Sequence, residues 1–169
     1  MIKYNKKFLV LSNFLAINYK NIFPYIKENK IWYGKSIRSG GVKFEIPNEY
    51  VFEKSIKENS KNYIEFAGIR WITNLDYKDK YNTNFKLTKK YYGNEDYYPK
   101  YDNFDAINVN KTKDIPMDYE GLIGVPISFF DKYNPDQFEI IINKPQGSLK
   151  LKGIPVFIRF IIKNKKIQK

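Results

Sequence analysis

Two pairs of carboxylates have spacings that proton transfer or cation binding could use: Asp102 with Asp105, and Asp114 with Asp118. Paired carboxylates can share a proton or a divalent ion. Neither pair has a histidine to work with, because the chain contains no His and no Cys. That removes imidazole bases, thiolate nucleophiles, Cys/His zinc sites and disulfides together. Catalysis would fall to carboxylates, Lys, Tyr, amides or a bound cofactor. Set in a turn-rich stretch, the four aspartates read as solvated turn residues. Thr73–Asp76 reads as a polar strand end, and Ser39–Gly41 is too short for a nucleotide loop; no GxGxxG or GxxxxGK[ST] pattern occurs.

The remaining chemistry is that of binding. Residues 77–103 interleave Lys with Tyr and Asn, including Lys89-Lys90 followed by Tyr91-Tyr92. Ammonium groups suit phosphates and rings suit stacking, although a solvated surface loop would have the same composition. A net charge of +12 points to a polyanionic partner. Wealth in Phe, Tyr, Ile, Asn and Lys, all with AT-rich codons, would produce much of that charge by itself.

The elements that must hold these residues are short. At 169 residues, 43% hydrophobic and 18% aromatic, the chain can bury a core as one domain or as one domain with an appended lobe. Phe8–Asn13 reads as a buried strand. Ile17, Ile22, Phe23 and Ile26 trace an amphipathic helix, with Pro24 placed to divide it in two. Ile31–Gly34, the alternation Val42, Phe44, Ile46, and Gly68–Asp76 read as strands, whereas 49–66 reads as a solvated connection. Tyr98–Phe138 is net acidic between basic flanks and rich in Pro and Gly, as strands joined by specified turns would be. Asn134 is placed to cap a helical turn starting at Pro135, and 153–166 closes as a buried strand with a Lys-rich tail. The pattern is α/β. Phe8–Leu11 is too short for a signal-peptide core, and no run approaches the ~20 apolar residues of a membrane span, so a soluble, cytoplasmic protein is expected, with no membrane partner and no metal.

Four stretches then carry a resemblance: FLVLSNFLAINYKNIFPYIKENKIWYG, WITNLD, LTKKYYGNEDYYPKYDNFDAINVNKTKDIPMDYEGLIGVPISFFDKYNPDQFEI and RFIIKNKKIQK. Together they closely resemble the C-terminal part of the EcoRI-type adenine-specific DNA methyltransferases. The similarity is weakest around Val51–Glu65 and Asn143–Gly153. It implies S-adenosylmethionine as methyl donor, N6 of adenine in duplex DNA as acceptor, a Rossmann-like fold and a target base flipped into a polar-Pro-Pro-aromatic loop. The sequence has no Pro-Pro dipeptide. The family's Asn-Pro-Pro-Phe motif and its donor loop would lie upstream of Met1, so no catalytic residue carries over and the cofactor-binding residues are unassigned.

The fold expected from the resemblance is α/β: residues 1–76 end a Rossmann-like methyltransferase sheet, and 77–169 form an appended strand- and loop-rich DNA-recognition lobe with the C-terminal strand. Lys86, Lys89, Lys90 and Lys111 are then phosphate candidates. Arg38, Asn108 and Asn110 are base-edge candidates, because amides and guanidinium groups can bond bidentately to adenine and guanine. The function expected is that of a fragment of a site-specific, restriction-modification type DNA adenine methyltransferase. A non-catalytic DNA-binding module, or a decayed remnant of such an enzyme, rests on the same residues. Loss of neighbouring strands should leave Phe8–Asn13 as an exposed apolar edge, which calls for a companion fragment or self-association.

Overall fold

Alternating and β-branched runs become strands in two separate units of a computed structural model that describes residues 2–37, 41–50 and 52–168. One unit comprises Met1–Ile17 with Ile31–Lys80, the other Asn18–Lys30 with Tyr81–Lys169. The fold is mixed α/β, mostly sheet with few helices. No helix among the described residues is long and apolar enough to cross a membrane.

The first unit holds β1 (Leu9–Asn13), β2 (Trp32–Tyr33), β3 (Gly41–Ile46), β4 (Ile56–Glu58), β5 (Lys61–Ala67) and β6 (Ile69–Thr73). They form two antiparallel sheets ordered β1-β6-β2 and β3-β5-β4. Tyrosine and tryptophan heads fasten the first sheet: Trp32 Nε1 donates to the Leu75 carbonyl at 2.9 Å and the Tyr77 hydroxyl to the Tyr33 carbonyl at 2.6 Å. β1 pairs on one side only, and Leu9, Val10 and Leu11 are 52%, 39% and 39% exposed. It is an apolar edge strand.

The stretch 49–66 departs from its expected role as a connection, because β4 and β5 form a hairpin there. Asn59 and Ser60 both take positive φ (49° and 65°) between the paired Glu58 and Lys61, the conformation a two-residue type I′ turn requires. Charges on one face of this sheet pair across strands, Lys43 with Glu58 and Lys61 with Glu45.

In the second unit, α1 (Phe23–Lys27) carries Pro24 in its first turn, where proline is tolerated. The expected amphipathic helix is in two short pieces, a 3-10 turn at Phe14–Asn18 and α1, but the break falls at residues 19–22, ahead of Pro24 and not at it. β7 (Lys100–Tyr101), β8 (Phe104–Asn108), β9 (Leu122–Pro126), β10 (Phe138–Lys144), β11 (Lys150–Leu151), β12 (Ile154–Pro155) and β13 (Arg159–Asn164) follow. Five of them build a sheet in the order β10-β13-β9-β8-β7, and β11 with β12 makes a separate hairpin. The sheet is antiparallel except for β8 and β9, which run parallel with Ile107 opposite Ile123 and Asn108 opposite Gly124. Phe129, Phe138, Phe160 and Ile162 are fully buried, and Phe129 meets Phe138 edge-on at 5.1 Å. Asn134 caps a turn, not a helix: its side-chain oxygen accepts the Asp136 N–H at 3.0 Å and the chain enters β10 directly.

Candidate nucleic-acid interface

Asp114 and Asp118 organise the Lys/Tyr/Asn segment. They lie in the 109–121 connection between β8 and β9, and both are buried at 7% exposure, which corrects their reading as solvated turn residues. Asp118 Oδ1 accepts the Tyr91 N–H at 2.6 Å and Oδ2 the Tyr92 N–H at 3.4 Å. Asp114 Oδ2 accepts the Tyr97 hydroxyl at 3.2 Å, and the Asp114 carbonyl accepts the Tyr98 hydroxyl at 3.0 Å. A parallel bridge from Lys89 to Pro116 ties the same two stretches. The Tyr91 ring lies 4.4 Å from Tyr119 and 5.7 Å from Tyr98. Buried carboxylates are tolerated because hydrogen bonds satisfy them.

The result is a cleft of about 430 Å³ lined by Thr88, Lys89, Lys90, Asn94, Tyr97 and Tyr98. Lys89 and Lys90 are exposed, and Tyr97 is 62% exposed although its hydroxyl is anchored. Burial, reinforced by the Asp114 charge, pushes the Tyr98 hydroxyl up to about 12, so it stays a neutral donor. The bond to Asp114 likewise raises Tyr97. Gly93 (φ 86°) gives its N–H to the Glu95 carboxylate at 3.0 Å, which holds Glu95 below the usual carboxylate range.

A second polar group reaches across β9 and links β8 to β13. Asn108 Oδ1 accepts the Tyr101 hydroxyl at 2.7 Å and Arg159 Nε at 3.3 Å, while Asn108 Nδ2 donates to Asn110 Oδ1 at 3.0 Å. Arg159 also gives a terminal N–H to Asn110 Oδ1 at 3.1 Å and another to the Ile158 carbonyl at 3.3 Å. Tyr101 lies across Gly124, occupying the space a Cβ there would need: its Cε2 and Cζ are 2.6 and 2.7 Å from that position. Burial pushes the Tyr101 hydroxyl up to about 12, with Arg159 opposing.

The family described as "Adenine-specific methyltransferase EcoRI" matches residues 1–168. The chain belongs to this family. Type II methyltransferase M.EcoRI of Escherichia coli is 47% identical over 175 residues, covering 100% of this chain and 53% of that protein. Type II methyltransferase M.MgeORF184P of Mycoplasma genitalium is 42% identical over 94% of this chain and 52% of its own length. Type II methyltransferase M.MpnI of Mycoplasma pneumoniae is 38% identical over 94% of this chain and 51% of its own. The chain thus spans about half the length of the curated relatives it matches. No solved structure matches it.

In this member of the EcoRI methyltransferase family, the residues singled out in the sequence fall into two groups. Lys89 and Lys90 share the cleft. Asn108 and Asn110 share the β8–β13 group, with exposed Lys111 next in the chain. Asn108 is only 3% exposed and its amide is engaged on both sides, which takes it off the surface. Lys86 is exposed outside the cleft lining, and Arg38 lies outside the described residues. Sequence reasoning missed Tyr97 and Tyr98 as anchored rings, and Arg159. The signal for Arg159 was present: it is one of three arginines among 30 basic residues, set alone in the apolar run PVFIRFII.

Family membership implies a methyl donor, and close backbone approach at glycine is where its cradle would show. Gly34, Gly121 and Gly124 are each covered by a ring-bearing side chain of the protein, Trp71, Tyr119 and Tyr101. Gly93, Gly147 and Gly153 lie in open turns. The described residues do not fit a complete S-adenosylmethionine site, and no step of methyl transfer is assigned to them.

Proposed function

We propose that this chain is the DNA-engaging part of a site-specific, S-adenosylmethionine-dependent DNA N6-adenine methyltransferase of a restriction-modification system, acting in the cytoplasm. The cleft carries this reading: two exposed ammonium groups stand beside a tyrosine ring held by its hydroxyl, which suits a phosphate and an adjoining base or sugar. Family membership and the +12 charge support it. On this reading β1-β6-β2 ends a Rossmann-like sheet, and residues 77–169 form the DNA-recognition lobe. The Asn-Pro-Pro-Phe loop and the donor loop come from sequence this chain does not contain, and the free edge of β1 takes a companion segment or a second copy.

The test is duplex binding by Lys89→Gln/Lys90→Gln across a salt series. Loss of two phosphate contacts should weaken every duplex alike and lower the slope of log affinity against log salt by about 2. Unchanged affinity and slope would remove the cleft from the interface.

A further inference from the structure

Arg159 is a charge without a counter-charge. It is 9% exposed, and its three hydrogen bonds go to the amide oxygens of Asn108 and Asn110 and to a main-chain carbonyl. No carboxylate among the described residues ion-pairs with it. Buried charges are ordinarily paired, because neutral acceptors recover only part of the lost hydration. The cation nearest in register, Lys144 opposite Arg159 on β10, has its ammonium over the Phe104 ring at 4.1 Å.

The group is nevertheless held firmly. A guanidinium has five N–H donors in a rigid fork. Three are engaged, which leaves one on each terminal nitrogen; Asn110, which holds one of these nitrogens, is exposed, and exposed Lys111 follows it in the chain. Asn108 is the positioning residue: it bonds the fork at Nε and ties Asn110 in place. A rigid fork with two donors to spare, bonded to the residue that precedes an exposed lysine, matches phosphate oxygens.

We infer that Arg159, with Asn110 and Lys111, forms an anion site that binds a phosphate group, supplied by the DNA backbone. The choice of DNA as the source rests on the function proposed above. Phosphate completes the charge balance that the fold leaves open, and the site adds a backbone contact separate from the Lys89–Lys90 cleft.

Asn110→Asp tests this in the full chain. An aspartate keeps the acceptor for both Asn108 and Arg159 but supplies the missing counter-charge inside the fold. The variant should melt at a higher temperature than wild type, bind duplex about tenfold more weakly, and lose about one unit of salt slope. Gln168→Glu, beyond the far end of β13, adds the same charge elsewhere and should change neither melting nor slope as much. Inorganic phosphate at constant ionic strength separates the sources. If it stabilises wild type but not Asn110→Asp while duplex binding is equal in the two, the anion site stands and DNA is not its source. If Asn110→Asp matches wild type in duplex affinity, slope and phosphate response, the inference is overturned. A wild-type chain that binds no duplex, yet is stabilised by phosphate only while Asn110 is present, would overturn the functional proposal and leave the anion site intact.

Discussion

Gly124→Ala decides whether Tyr101 is a fixed part of the β8–β13 polar group. A strand glycine is ordinarily a weakness, and alanine in its place gains about 0.5–1 kcal/mol. At Gly124 the added methyl would sit 2.6 Å from Tyr101 Cε2 and 2.7 Å from Cζ. The ring cannot step aside freely, because it packs with Ala106, Leu149 and Ile161. Overpacking costs about 1–3 kcal/mol, and displacing the ring breaks the buried hydroxyl bond to Asn108, worth about 1 kcal/mol. The sum, about 3 kcal/mol, corresponds to a fall of roughly 6–12 °C in thermal midpoint for a chain of this size. The sign is therefore opposite to that of a free glycine. Differential scanning calorimetry of Gly124→Ala, of Tyr101→Leu and of the double variant reads it. The double variant should be less destabilised than the sum of the singles, because the leucine vacates the space the methyl needs. A Gly124→Ala midpoint at or above wild type would refute the reasoning.

Alkali should unfold the chain in a narrow window. Tyr98, Tyr101 and Tyr133 are pushed up to about 12 by burial, against an ordinary value of 10.0. Their protonated state therefore stabilises the fold fully below pH 10 and loses that effect as pH rises through 12. Near-UV circular dichroism should hold to about pH 10 and be lost by about pH 12, with the last tyrosines ionising in the same step; loss of signal in milder base would contradict this. On β1, Leu11→Lys should leave the melting temperature nearly unchanged and reduce any concentration-dependent sedimentation, because a charge on an unpaired edge opposes edge-to-edge association. Equal sedimentation of the variant and wild type would detach β1 from self-association.

Much of the strand pattern was legible because burial on one face writes a period of two into the residues. Val42, Phe44 and Ile46 announce β3, and the apolar run around Phe160 announces β13. β4 and β5 were not, because Lys, Glu and Asn dilute the alternation there. Their turn uses Asn59-Ser60, without the glycine that usually marks such a bend. At the candidate interface, Lys89 and Lys90 could be chosen by type alone. The bonds that shape their cleft could not, since Asp118 holds Tyr91 from 27 positions away. Asn108 was visible as an amide, but its burial follows from pairing beside Gly124 under Tyr101. Arg159 reaches Asn108 across 51 positions, and no local pattern spans that distance.

The place of β13 has a consequence for how the protein is made. β13 is the last strand among the described residues, yet it lies between β10 and β9. On the ribosome those two emerge first and wait with their inner edges bare, each a template for wrong pairing. Until β13 arrives the sheet is split, and the cleft depends on that sheet because its aspartates lie in the β8–β9 connection. A nascent or prematurely stopped chain therefore lacks Arg159 and has no completed sheet to shape the cleft. On the function proposed above, attachment to nucleic acid waits for β13 to take its place, and a nick that frees this strand removes it again.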